Sequence, residues 1–362
     1  MFKRILVPLD GSALAEQAIY HAEQFARIFG SKIILLQVLD PASFRENPIS
    51  VDPLNWQIRK KKAEIYLAEV TKRMNADLLE DPMPAVDFEN PETKSPKSRV
   101  EYAISEGKTA ESIVNFAHQE NIDLLIISTH GAGGLSRWNI SSITQKVIDM
   151  IYLPILLIRS YYQPKLVVNR VHYRRILLPV DSSRRAECAL SVGLALARGE
   201  IPEGFASELN SRKPIQTAKT IPSLPTQLVL IAVIKPPEIP IPEPYPPEIE
   251  QLTKKLMTVS RRVVSEYLEE TKARLQVDCE TYVLENSSVS SAIQNFANQE
   301  ENIDLVVLCA HGYTGQIEWP YGSIARNYIE YGTKPVLIIQ DVPRSEFQPT
   351  AAEIAFKKVG GR

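Results

Sequence analysis

Two loops in this chain carry the residue types that hold an anion. They are Ser128-Thr-His-Gly-Ala-Gly-Gly134 and Cys309-Ala-His-Gly-Tyr-Thr-Gly315, and each runs on to a helix that begins near Ser141-Ser142 or Gly322-Ser323. A glycine loop feeding a helix N-terminus suits phosphate, because the first helical N–H groups lack partners and the helix dipole favours negative charge. An aspartate closes an apolar run well before each loop, at Asp10 and at Asp181. Such a carboxylate either accepts from a ribose hydroxyl or an amino group, or caps the helix that follows. His130 and His311 sit inside the loops and read first as local hydrogen-bonding groups. Alone, the loops name no ligand. Gly131-Ala-Gly-Gly134 is not G-x-G-x-x-G, since position 136 is Ser, and no G-x4-G-K-[ST] occurs. No base is paired with a nucleophile, and no H-E-x-x-H or Cys/His cluster is present. No catalytic residue and no metal ligand is therefore assigned.

The elements that position these loops occur twice. Arg4-Ile-Leu-Val-Pro-Leu-Asp10 recurs as Arg175-Ile-Leu-Leu-Pro-Val-Asp181. Asn115-Phe-Ala-His-Gln-Glu-Asn-Ile-Asp-Leu124 recurs, with one inserted Glu, as Asn295–Leu305, and Leu153–Ile158 recurs as Lys334–Ile339. The blocks keep their order, so the repeat is a whole domain and not a short solenoid unit. Within each copy, short continuous apolar runs alternate with segments of three/four apolar spacing. In the first copy Ser12 begins such a segment, with Ala15, Ala18, Ile19, Ala22, Phe25, Ala26 and Phe29 on one face, and Gly30 ends it. The predicted order is β-α-β-α-β-α-β-α-β with fully apolar strands, the pattern of a parallel sheet covered on both faces. In the second copy the first helix is predicted over 184–198. Ligands bind such sheets at the C-terminal strand ends, where strand order switches. That brings together the first strand end at Asp10 or Asp181, the second at Val38 or Val233, and the loop after the fourth.

The 362 residues allow two domains, each large enough for its own core. A net charge of −2 gives no field for nucleic acid or an anionic membrane. No apolar run approaches the ~18 residues of a membrane span, and with Pro8 and Asp10 so near the start no signal-peptide core is expected there. Cys188, Cys279 and Cys309 are widely spaced, as expected of buried thiols in a reducing compartment. The basic run Arg59-Lys-Lys-Lys62 reads as a solvated helix face. Inserts at 81–98 and 199–226 break the repeat, and Pro236–Pro247 is expected to be extended, since proline fixes φ and removes a donor.

Taken together, both copies resemble the universal stress protein family. The resemblance implies an α/β fold: two doubly wound five-stranded parallel-sheet domains, strand order 3-2-1-4-5, adenine nucleotide alpha hydrolase-like. It places the domains at 1–160 and 173–342, with a linker at 161–172, the insert 199–226 and a tail at 343–362. Nucleotide-binding members carry G-x2-G-x9-G-[ST] after the fourth strand and Pro-x-Asp after the first. The matching positions are Ser128, Gly131, Ser141 and Ser142 with Pro8 and Asp10, and Cys309, Gly312, Gly322 and Ser323 with Pro179 and Asp181. Val38 and Val233 complete the two implied sites. The departures favour the second site, where Gly322 is kept while the first copy has Ser141. A Cβ there collides with a phosphate or forbids a needed backbone angle. Charge argues the other way, since Arg137 aligns with Glu318; Trp138 aligns with Trp319. The implied ligand is ATP, or AMP or ADP, with Mg²⁺ as its companion. The implied role is a cytoplasmic stress-response protein with the nucleotide as regulatory ligand. An interaction scaffold with degenerate sites and a slow ATPase are the alternatives. Enzymes on this fold need S-G-G-x-D-S or H-x-G-H, and Leu9-Asp-Gly-Ser12 and Val180-Asp-Ser-Ser183 supply neither. No nucleic acid or membrane partner is expected, and the protein partner stays open. Apolar strands at Ile155–Ile158 and Val336–Ile339 lead us to expect an intramolecular pseudo-dimer through these edges, with further homodimerisation open.

Overall fold

The structure is a computed structural model, and the description covers residues 1–41, 53–79, 98–134, 140–161, 166–167, 170–199, 226–242, 244–300, 302–312 and 320–341. The chain divides into two compact units, Met1–His172 and Tyr173–Phe347.

Unit one contains β1 (Arg4–Pro8), α1 (Ala13–Phe29), β2 (Lys32–Leu39), α2 (Pro53–Leu79), β3 (Val100–Glu106), α3 (Thr109–Gln119), β4 (Leu124–Ser128), α4 (Ser142–Met150) and β5 (Ile155–Ile158). Its sheet is parallel in the order 3-2-1-4-5. Strands β4 and β5 are buried at every residue, as expected of strands covered on both faces. Helix α1 starts where the sequence places it: Ser12 Oγ accepts from Ala15 N at 3.2 Å, and Gly30 ends the helix in the left-handed conformation at φ 64°. A short antiparallel ribbon, β6 (Leu166–Val167) with β7 (Arg170–Val171), lies where the sequence suggests a plain linker.

The repeated blocks are clamped to one another. The N–H groups of Lys3 and Arg4 donate to Asp123 Oδ2 at 2.8 and 2.9 Å, and Arg4 pairs with Glu120. In unit two Arg174 N–H donates to Asp304, and Arg175 pairs with Glu300 at 2.7 Å. The Arg-Ile-Leu block and the Asn-Ile-Asp block thus fix the start of the first strand against the start of the fourth. The two strands whose far ends form the candidate site are held in register by these contacts.

Unit two contains β8 (Arg175–Pro179), α5 (Cys188–Arg198), β9 (Gln227–Ile234), α6 (Pro247–Leu275), β10 (Cys279–Glu285), α7 (Val289–Gln299), β11 (Ile303–Cys309), α8 (Ser323–Tyr331) and β12 (Val336–Ile339). Its strands follow the same parallel order, β10-β9-β8-β11-β12. Helix α5 begins four residues later than the sequence predicts. Residues 184–187 form turns, with bonds from Cys188 N to Arg185 O and from Ala189 N to Ala186 O, so the chain winds tightly before the helix sets in. Just before this, Ser182 holds φ 64° where unit one has Gly11 at φ 81°. The proline run leads into α6 through Pro246 at φ −54°, ψ 145°, and Pro247 occupies the first helical position, where its missing N–H costs nothing.

Candidate functional site

In unit one the ends of β1 and β2, the loop after β4, the start of α4 and one face of α2 enclose a cavity of about 960 Å³. Asp10, Val38, Ser128, Gly131, Ser141 and Ser142 all line it, so the positions singled out from sequence in this copy meet in one place.

Asp10 organises the floor. Its Oδ1 accepts from Ser12 N at 3.0 Å, a turn made by an aspartate with the backbone two residues on, and its Oδ2 accepts from Ala132 N at 2.6 Å. The carboxylate is therefore no helix cap, which is the task of Ser12. It ties the first strand end to the glycine loop. Gly131 is required by this tie, because a Cβ there would overlap the Asp10 carboxylate oxygen and lie 3.0 Å from its Cγ. The loop then closes as a turn through Gly134 N–H to Gly131 O at 2.8 Å, with Gly134 at φ 72°.

Behind the loop lies a buried hydroxyl cluster. Ser160 Oγ lies 2.7 Å from Ser128 Oγ and 3.1 Å from Thr129 Oγ1, and accepts from His130 N at 2.9 Å. His130 Nδ1 lies 3.1 Å from Thr129 Oγ1. His130 thus holds the turn together, as its position in the loop suggests. Ser141 caps α4, its Oγ accepting from Thr144 N at 3.2 Å, and Thr144 Oγ1 donates to Ser128 O at 3.0 Å. Ser160 and Thr144 carry no signal in the sequence, and Thr129 stands there only as a residue of the loop; the fold brings the strand after α4 beside that loop.

Four further lining residues come from α2: Arg59, Lys62, Ala63 and Tyr66. All four residues of the basic run are exposed, as a solvated helix face requires, and two of them also border the cavity. Lys60 pairs with Glu106 at 3.3 Å and Lys61 with Glu64 at 3.2 Å, while Arg59 and Lys62, three residues apart on one side of the helix, border the cavity. The spacing was visible in the sequence; which side looked inward was not. Tyr66 Oη donates to Glu16 at 3.0 Å, and Arg73 pairs with the same carboxylate. Burial, and then the Glu16 charge, hold the Tyr66 phenol well above its ordinary range, so it acts as a donor.

Unit two brings its counterparts together as well. A Cβ at Gly312 would fall 2.5 Å from Asp181 Oδ2, and Gly322 N–H donates to Ala310 O at 2.9 Å. Asp181 Oδ1 accepts from Ser183 N at 3.0 Å. Pro179 ends β8, Val233 lies in β9, Cys309 ends β11 and Ser323 begins α8. His311 Nδ1 lies 2.7 Å from Asp341 Oδ1, both side chains nearly fully buried. Tyr267 and Arg274 both bond Glu187, repeating the Tyr66–Glu16–Arg73 arrangement. Aligned on that arrangement, Arg59 and Lys62 correspond to Ser260 and Val263.

The backbone at Ser141 and Gly322 does not differ in the way their residue types suggest. Ser141 has φ −69°, ψ 155° and Gly322 has φ −65°, ψ 168°, so both adopt ordinary extended backbone. No special backbone angle requires glycine at this position. Arg137, Trp138, Glu318 and Trp319 lie outside the described residues.

Comparison with known proteins gives the family. The model of the universal stress protein family matches residues 1–159 and 220–340. This chain belongs to the universal stress protein family. It carries two such domains. A universal stress protein of Methanocaldococcus jannaschii is 28% identical over 159 residues, 44% of this chain and 96% of that protein. The crystal structure of a universal stress protein from Archaeoglobus fulgidus aligns over 94% of this chain and 98% of that one, at 15% identity and a TM-score of 0.56, a likeness of fold. A universal stress protein crystallised in complex with cAMP aligns over 44% of this chain and 98% of its own, at 17% identity and a TM-score of 0.30. Among the described residues of this universal stress protein, no helix is long and apolar enough to cross a membrane.

Proposed function

We propose that the chain is a cytoplasmic stress-response protein that binds an adenine nucleotide (ATP, or ADP or AMP) as a regulatory ligand, with unit one as the principal site. The observation that carries this reading is the unit-one cavity, where the strand ends, the glycine loop and the α4 N-terminus share their space with Arg59 and Lys62. Two cations and the first α4 amides supply the attraction a polyphosphate needs. Mg²⁺ would enter with the nucleotide.

A second reading keeps unit two as the better site, as the motif suggests. Gly322 caps α8 with no side-chain oxygen to occupy its first amides, whereas Ser141 takes the Thr144 N–H of α4. Against it, the positions of Arg59 and Lys62 are held there by Ser260 and Val263.

Binding without turnover is the form we favour over a slow ATPase. Backbone donors that position phosphates stabilise ground and transition states alike, and such uniform binding does not speed chemistry. The remaining alternative is a scaffold whose two sites are both degenerate.

Calorimetric titration of the full chain with ATP and AMP tests the reading. A cation near a phosphate contributes about 1 kcal/mol in water-like surroundings, so Arg59→Ala with Lys62→Ala should weaken ATP by about 30-fold, and AMP by less. Lys61→Ala, whose ammonium pairs with Glu64, should change nothing. Loss on Gly322→Val alone moves the site to unit two. Absence of binding by the native protein leaves the scaffold.

A further inference from the structure

Unit two carries two thiols where unit one carries an amide and a hydroxyl. Cys188 is the first residue of α5 and Cys309 the last of β11, and their sulfurs lie 2.9 Å apart. Aligning Asp10 with Asp181 and Gly131 with Gly312 makes Gln17 and Ser128 their counterparts. In unit one both of those reach Ser160: Gln17 Nε2 donates to its carbonyl at 3.2 Å, and Ser128 Oγ meets its hydroxyl at 2.7 Å. Asp341 takes the place of Ser160 in unit two, and its carboxylate faces His311 and Arg185. The thiols face each other instead. Both are half-buried and neither is in a disulfide.

We propose that Cys188 and Cys309 form an oxidant-reactive dithiol site, which hydrogen peroxide or a related peroxide converts into an intrachain disulfide. This stands apart from the nucleotide reading. Cys188 is the first residue of the 11-residue helix α5, and its sulfur, once deprotonated, is the nucleophile. Its sulfur attacks the peroxide O–O bond. One oxygen stays as the sulfenic acid, and the other leaves as hydroxide and takes up the thiol's proton as water. Cys309 Sγ then attacks the Cys188 sulfur. The S–O bond breaks, and the hydroxyl leaves with the Cys309 proton as a second water. Two thiols have lost two electrons to one peroxide, which has become two waters. Cys309 takes the second role by position, its sulfur 2.9 Å from Cys188 Sγ at the end of β11. The sulfurs are already in contact, so neither β11 nor α5 need move far. The bond would anchor the strand end from which Ala310–Gly312 departs.

Cys279 supplies the internal control. It is buried in β10, and burial pushes its thiol up to about 11. It should not react.

The test treats the folded, reduced full chain with hydrogen peroxide, then unfolds and alkylates it for intact mass and peptide mapping. Of the three thiols, one should remain alkylatable, with a single-chain species two hydrogens lighter and a linked peptide joining Cys188 to Cys309. A thiol reductant should restore all three. Cys279→Ser should still form the link, and Cys188→Ser and Cys309→Ser should not, each checked for native circular dichroism. Retention of three thiols under conditions that oxidise the unfolded chain would overturn the proposal. So would a link between separate chains, or one through Cys279.

Discussion

Replacing Gly131 by alanine separates the need for close approach from ordinary loop tolerance. The added Cβ cannot coexist with Asp10 Oδ2 where it now sits. Asp10 must turn away, giving up the 2.6 Å bond from Ala132 N and disturbing the 3.0 Å bond from Ser12 N. A hydrogen bond to a charged group is worth roughly 1.5–3 kcal/mol, and the lower end applies because Asp10 is exposed. Adding about 0.5–1 for the second bond and subtracting about 0.4–1 for the stiffer unfolded chain leaves a loss of about 1–2 kcal/mol. For a unit of this size that is about 2–8 °C in melting temperature. Gly133, two residues on, has nothing within 4 Å of its would-be Cβ and no positive φ. Gly133→Ala should be neutral or stabilising by up to about 1 kcal/mol. Thermal melts by circular dichroism compare the two, and titration with ATP should show at least a tenfold loss for Gly131→Ala only. Equal behaviour of the two variants would refute the reasoning, since it would mean the Asp10–Gly131 approach shapes nothing.

Three further outcomes are expected. Ser182→Gly should stabilise unit two: relief of a left-handed conformation is worth about 1–2 kcal/mol, less the ~0.5–1 that glycine costs, and denaturant midpoints would show it. His21 is buried and its pKa is lowered to about 3 by burial, so the folded state refuses a proton that the unfolded chain accepts near 6.5. Stability should therefore fall with falling pH from about 6.5 toward 3, by up to ~1.4 kcal/mol per pH unit from this group; His21→Leu should flatten the slope in urea titrations between pH 7 and 5. Phosphate release from Mg²⁺-ATP should stay well below the roughly 1–10³ s⁻¹ of dedicated enzymes; turnover near 1 s⁻¹ that vanishes in Gly322→Val or in the Arg59/Lys62 double variant would make the chain an enzyme.

The sequence by itself determined the architecture. Continuous apolar strands alternating with amphipathic helices specify a covered parallel sheet, and the duplication states it twice, so the order 3-2-1-4-5 and the location of Asp10, Gly131 and Ser141 at one sheet edge followed from pattern and resemblance. Local chemistry was legible where one residue decides it, as with Ser12 and Gly30 at the ends of α1. Tertiary structure decided which residues share a space. Asp10 was an aspartate at a strand end until the loop amide of Ala132 arrived from 122 residues away. Arg59 and Lys62 belonged to a uniform basic run until α2 settled with one side toward the cavity. The Ser141/Gly322 difference looked like a matter of backbone freedom until both positions took the same dihedral angles. Cys188 and Cys309 were unrelated thiols separated by 121 positions. Periodicity fixes which face of an element is apolar, because burial of that face is a local demand on side-chain type. It does not fix which polar groups meet, because that depends on how separate elements are placed around the core they jointly bury.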